Sequence, residues 1–257
     1  MFLRRMVENL KTQNWTAVGV DFLIVVIGVF IGTQVSNWNQ ERTERRETAQ
    51  LLVELKPALS RFSDFYDAAK VYYATANSYA DDAFAGWRRD PAIDDKQFVI
   101  AAYQASQIYT WGLNGDIWAS IFGSDQLRDI GDANVRDGLT TLMTISYDQI
   151  DSVVSETTYR ETVRQVIPED IQDAIRADCG DRSVPERPQT VRLPETCDPR
   201  LANTRFADAA AALRAHPELV GHLRWHRAAV AAFMQDYGAV DDLSRNLQQA
   251  IDKANRL

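Results

Sequence analysis

Histidine and cysteine are scarce in this chain, three and two among 257 residues, and neither type gathers into the clusters that metal or nucleophilic chemistry needs. His222 and His226 stand four apart and could ligate one metal from a helix face, but the segment HLRWH lacks the glutamate that acts as base in a zinc-protease helix. His226 also falls in an apolar stripe, where a satisfied core histidine is the commoner explanation, and His216 stands apart. No GxSxG elbow, Walker loop or GxGxxG fingerprint occurs. The acid pairs Asp81-Asp82, Asp94-Asp95 and Asp241-Asp242 fall at expected helix ends or exposed faces, where caps and solvated charge are commoner than acid/base pairs. No catalytic residue, metal ligand or cofactor is therefore assigned, and the chain reads as non-enzymatic. An excess of positive charge is also lacking. The net charge is −8, and the first 40 residues carry three basic and two acidic side chains, which leaves 25 basic against 34 acidic in the rest, a net of −9. Such a domain is a poor counter-ion for phosphate backbones, so a nucleic-acid partner is not expected.

Long apolar runs are absent but for one. Ala17 to Val35, AVGVDFLIVVIGVFIGTQV, would span roughly 28 Å as a helix, close to the ~30 Å hydrocarbon thickness of a bilayer. A secretory signal is the competing reading. The run exceeds the usual h-region, and Ser36, Asn37 and Trp38 offer no small-residue cleavage site, so the segment reads as a retained transmembrane anchor over residues 15–39. Ahead of it, in 1–14, Phe2, Leu3, Met6, Val7 and Leu10 recur at helical spacing opposite Arg4, Glu8 and Lys11, the pattern of an interfacial amphipathic segment. Trp15 and Trp38 bracket the span as interfacial aromatics.

Arg4, Arg5 and Lys11 on one side balance Arg42, Arg45 and Arg46 on the other, so the basic count alone leaves orientation open. The cysteines tip the reading. Cys179 and Cys197 lie in a proline-rich segment, and a disulfide between them would suit an oxidising compartment and close a loop worth ~3 kcal/mol on the chain-entropy model. Two unrelated thiols in a cytoplasmic loop is the other reading. The favoured placement is a bacterial cytoplasmic (inner) membrane with the C-terminal domain in the periplasm.

Residues 40–257 are expected to fold as an all-α domain, an antiparallel bundle of about four to six long amphipathic helices. With 46% hydrophobic and 25% charged residues, the chain can bury a real core. Leu52, Leu55, Leu59, Phe62, Tyr66, Ala69, Tyr73, Ala76, Ala80, Ala83 and Trp87 step by three and four, which predicts one long helix with a kink or start at Pro57. Asp90-Pro91 ends it. Asp94 with Gln97 forms a capping-box pattern for a helix to about Tyr109. Trp111 to Gly131 is broken by glycines and predicts short helical turns that pack aromatics. Asp132 can cap a second long helix to about Val166, ended by Pro168, with a shorter helix to Ala177. Pro185, Pro188, Pro194 and Pro199 mark an irregular loop over 179–200, and no strand alternation is visible. Leu201 to Ala215 is helical, and Pro217 opens a final helix whose seam runs Leu219, Leu223, His226, Val230, Phe233, Tyr237, Val240, Ser244, Leu247 and Ile251.

Within the anchor, Gly28, Gly32 and Ser36 share one face at a spacing of four, with Asp21 seven residues before Gly28. Small residues let a second helix approach closely, and an ionisable group in a span marks a functional position, so these four are read as membrane-helix packing residues and a homo-oligomer contact. The plainer alternative has Asp21 reaching the headgroups and the glycines as ordinary membrane-helix residues. Asp21, Gly28, Gly32, Gln34, the triplet Asn37-Trp38-Asn39 and Glu41-Arg42 together resemble the membrane segment of an uncharacterised family of bacterial single-pass membrane proteins, a domain of unknown function. The likeness covers about residues 15 to 45, with a looser similarity over Trp118 to Asp148. It implies a single-pass, mostly helical protein and no assigned activity.

Two functions fit these features. One is a membrane-anchored interaction or scaffold module, with membrane lipid and an unknown protein partner. The other is a ligand-sensing bundle, with a small molecule between helices near Tyr72, Tyr73, Trp87, Trp111 and Trp118; an enzyme of unrecognised type is the remaining alternative.

Overall fold

The computed structural model describes residues 15–112, 127 and 130–254, without the side chains of 15–19, 21, 188, 189 and 254. It divides into a unit of Met1–Leu51 and a compact unit of Leu52–Leu257. Helix α1 spans Trp15–Trp87. In the first unit its large apolar side chains face outward, with Phe22 70% and Val29 63% exposed. Among the described residues this is the one helix long and apolar enough to cross a membrane.

The second unit is all-α apart from one small hairpin. After α1 come α2 (Asp95–Gln104), α3 (Ala133–Thr144), α4 (Tyr147–Ser155), α5 (Thr158–Val166) and α6 (Glu169–Cys179). The strands β1 (Arg182–Val184) and β2 (Arg187–Arg192) follow, then α7 (Asn203–Arg214) and α8 (Glu218–Ala254). From Leu52 onward the seam of α1 is buried except at the half-buried Tyr66 and Trp87, with Leu55, Leu59, Phe62, Ala69 and Ala83 at 2% exposure or less. All ten residues of the α8 seam are buried as well. The two seams meet antiparallel, because ascending positions on α1 meet descending ones on α8. Lys56 pairs with Asp252, the Leu59 carbonyl accepts from Ser244 Oγ at 2.8 Å, Tyr73 packs on Phe233, and Asp81 pairs with Arg227. Against α8 pack α3, α4 and α5, while α7 packs on α2 and α5.

Local chemistry accounts for several boundaries. Asp94 accepts from the Gln97 amide at 2.7 Å while Gln97 Oε1 accepts from the Asp94 amide at 3.0 Å, a reciprocal cap that starts α2. Asp132 Oδ1 accepts from the amides of Asn134 and Val135 and starts α3. Pro57 lies inside α1 without ending it. Its missing amide hydrogen is offset by tertiary burial of Leu55 and Leu59 on either side.

Four expectations are corrected. The long helix placed from Asp132 to Val166 is three helices, because Ile145 and Glu156 leave the helical conformation and let α3, α4 and α5 each turn an apolar face to α8. Helix α2 ends at Gln104 rather than Tyr109, and residues 105–112 continue without helix. The segment 179–200 is not irregular throughout: Arg182 pairs with Arg192 and Ser183 with Val191 in an antiparallel hairpin turning at Pro185-Glu186. Asp241 is not on an exposed face; it is 4% exposed and accepts from Ser63 Oγ at 2.5 Å and Arg245 Nε at 2.8 Å. Most of the Trp111 to Gly131 turns, Trp118 included, lie outside the described residues, as does the 1–14 interfacial segment.

Candidate functional site

The anchor positions form no site by themselves. Gly28 and Gly32 have no neighbour within 4 Å of a built Cβ, and Ser36 is exposed. Asp21 lies in the helix, and its side chain is outside the description. Cys179 and Cys197 are joined by a disulfide with Cα atoms 5.3 Å apart. It ties the end of α6 to the chain leaving β2, so the hairpin is closed into the loop between them.

The histidines do not converge. His226 is 2% exposed, its Nδ1 lies 2.7 Å from Thr157 Oγ1, and its Nε2 is buried without a hydrogen bond. Burial, with the positive charge of Arg160, depresses its pKa to about 4. His216 Nδ1 contacts Glu218 Oε1 at 2.8 Å. Among the described residues no three metal-ligating side chains gather.

Of the aromatic residues expected near a ligand, the four described ones, Tyr72, Tyr73, Trp87 and Trp111, pack between helices. Phe62 and Phe65 lie against Trp111 at 4.8 and 4.7 Å, Phe65 against Tyr237 at 4.9 Å, and Tyr72 against Tyr109 at 5.4 Å. Trp87 donates to the Leu213 carbonyl at 3.2 Å and its ring packs edge-on to Phe98. The non-helical stretch after α2 crosses this interior: the Tyr109 amide donates to Tyr73 Oη and Tyr73 Oη donates to the Tyr109 carbonyl, both at 3.0 Å.

Two carboxylates, the half-buried Asp151 and the exposed Asp181, stand beside these rings. Asp151, on α4, accepts from the Gly112 amide and from Tyr237 Oη, each at 2.9 Å. Gly112 has φ +69°, a left-handed conformation that glycine adopts freely and that turns its amide toward Asp151. Asp181, just before β1, accepts from Tyr72 Oη at 2.9 Å. Burial raises the pKa of both acids, and burial with the adjacent carboxylate pushes the hydroxyls of Tyr72 and Tyr237 far up, so both tyrosines keep their protons. Each carboxylate is engaged by an interior donor and holds separate chain segments together.

Among the described residues, two places are open to a partner molecule. One is a mostly apolar groove of ≈ 620 Å³ beside α8, lined by Ile145, Ile150, Val153, Val240 and Leu243 with Thr141, Gln149 and Asp236. The other is an arginine face on α5 and α6, where Arg164 and Arg176 both reach Tyr103 Oη, at 3.1 and 3.4 Å. Sequence reasoning missed Asp151, Asp181 and the arginines. The only local signal was the spacing of Arg160 and Arg164, four apart on one helix. No family model, curated protein or solved structure matches this chain.

Proposed function

We propose that this chain is a single-pass, membrane-anchored, non-enzymatic helical module of the bacterial cytoplasmic membrane, with its folded unit in the periplasm and a protein-interaction or scaffold role. The observation that carries the reading is α1 itself. Its N-terminal part exposes a continuous apolar surface from Phe22 to Ile31, while the same helix from Leu52 onward contributes the central seam of the bundle. An apolar helical anchor in the same chain would hold the folded unit at the bilayer. The disulfide supports an oxidising compartment, since such bonds are rare where thiols are kept reduced. Among the described residues, the close ring contacts of Trp111, Tyr72 and Trp87 support a display role over a ligand chamber there. Pairing of anchors through Gly28, Gly32 and Ser36 belongs to the same proposal.

The test is labelling of Cys179 and Cys197 in intact cells with a membrane-impermeant maleimide, combined with crosslinking. Labelling after reduction alone, without permeabilisation, is the expected result, together with a reproducible crosslinked partner or self-dimer. Labelling that needs permeabilisation but no reductant overturns the placement. A second reading, a ligand-sensing bundle, is favoured by the groove beside Val240, whose volume lies in the ~300–1,000 Å³ range of small-molecule sites. Saturable thermal stabilisation by a metabolite, lost in Val240→Asp, would replace the scaffold reading with this one.

A further inference from the structure

We propose that the face formed by α5, α6 and the C-terminal end of α2 is a binding site for a small oxyanion, a carboxylate or phosphate group, held by Arg160, Arg164, Arg176 and Gln107. The four side chains converge from three segments. Arg160 Nη1 donates to the Ser106 carbonyl at 2.8 Å. Arg164 Nη1 donates to Tyr103 Oη at 3.1 Å and its Nη2 to Gln107 Oε1 at 3.1 Å. Arg176 Nη1 reaches the same Tyr103 hydroxyl at 3.4 Å. Tyr103 is fully buried and its ring lies 4.8 Å beneath the Arg164 guanidinium, which fixes that planar group in place. Gln107 is held in turn by Gln104, and Gln104 donates to the Cys179 carbonyl.

Charge balance is what makes this face unusual in an acidic domain. Among the described residues neither Arg160 nor Arg164 makes an ion pair, and Arg176 pairs only with the exposed Asp173. Asp181 acts on Arg160 through space but is hydrogen-bonded to Tyr72. The two α5 arginines lie close enough that the charge of Arg164, after burial, helps lower the pKa of Arg160. Arg164 Nε is buried with no hydrogen-bond partner. A guanidinium has five N–H donors, and the observed bonds occupy one on Arg160, two on Arg164 and two on Arg176. Unused donors in fixed planar forks, with too little negative charge beside them, match the bidentate geometry of a carboxylate or phosphate. The bonds already made, to Ser106, Tyr103, Gln107 and Asp173, leave the remaining donors of three neighbouring cations unmatched.

The test uses the intact chain in neutral detergent micelles, heated in sodium phosphate or in sodium chloride of equal ionic strength. Phosphate at a hundredfold excess over its Kd is expected to raise Tm by about 5 °C or more, saturably. Arg176→Gln, at a half-exposed position, should keep the Tm of the parent in chloride and weaken phosphate at least ~tenfold. Arg164→Lys keeps the charge but removes the fork and should weaken it as well. A parallel arm reconstitutes the protein in phosphatidylglycerol or phosphatidylcholine nanodiscs. Stabilisation by phosphatidylglycerol and not by free phosphate, lost in Arg176→Gln, supports the site and assigns its ligand to a lipid headgroup. No stabilisation in either arm, or the same stabilisation in the parent and in Arg176→Gln, overturns the proposal.

Discussion

Replacing Gly86 with alanine sets two effects of known sign against each other, and the structure decides between them. In a helix interior the exchange favours alanine by about 1 kcal/mol. A Cβ at Gly86, however, would lie 2.1 Å from Phe98 Cδ2 and 2.4 Å from Cγ, well inside van der Waals contact. Phe98 is fully buried, its ring packs edge-on to Trp87 at 5.1 Å, and the Arg214 guanidinium lies 4.9 Å from the ring centre. With the ring held by Trp87 and by the Arg214 guanidinium, overpacking should fall near the upper end of its usual range, about 3 kcal/mol. The net loss is then about 2 kcal/mol, or a fall in Tm of roughly 4–8 °C for a unit of this size. Gly221 provides the control: it lies on an exposed face of α8 with nothing within 4 Å of a Cβ. Gly221→Ala should raise Tm by roughly 1–4 °C, since only the helix propensity changes. Thermal unfolding of the full chain in micelles, followed by circular dichroism, reads both. A Gly86→Ala protein as stable as the parent, or more so, would mean that α1 and α2 do not meet at this distance and would refute the packing described for that corner.

Three further outcomes follow from the interior. Removing the disulfide by Cys179→Ser with Cys197→Ser should cost about 3 kcal/mol on the chain-entropy model for a separation of 18 residues; an unchanged urea midpoint relative to the parent under oxidising conditions would argue that the bond does not form. Tyr72→Phe keeps the ring but removes the donor to Asp181 and should cost about 2 kcal/mol, measured by urea unfolding; no loss would show that water takes over the carboxylate. His226 titrates at about 4 in the folded state against ~6.5 when unfolded, so the unfolded chain takes up the proton first as pH falls. Its contribution is present above ~6.5 and is lost between there and about 4, on the order of 3 kcal/mol in all. The raised acids Asp151 and Asp181 act in the opposite sense. His226→Gln should therefore flatten the acid side of the stability profile relative to the parent, and an identical slope in both proteins would exclude the histidine as its cause.

Helix α8 shows how far periodicity carries: every one of its ten seam residues is buried, because an apolar stripe at 3.6-residue spacing has one face to hide and the choice of face is local. The caps at Asp94 and Asp132 were legible for the same reason, as a cap is a bond across two or three residues. The breaks at Ile145 and Glu156 were not, since the α3 to α5 stretch keeps helical spacing throughout and only its packing against α8 divides it. The hairpin was hidden by length. A three-residue strand shows no alternation, and its pairing partner lies across a turn that contains proline. Asp241 looked like surface charge because Ser63, which donates to it, is 178 residues away.

The sequence by itself determined the all-α character of the chain, its one apolar run long enough to cross a membrane, the two long seams and the helix starts, all set by contacts within a few residues. Only the tertiary structure decided that Tyr72 faces Asp181, that Tyr237 faces Asp151, and that Arg164 and Arg176 meet at the Tyr103 hydroxyl. These pairings join groups up to 109 residues apart. A tyrosine or an arginine on a helix face carries no mark of its partner until the helices are packed, because burial and charge are properties of the assembled interior rather than of the residue.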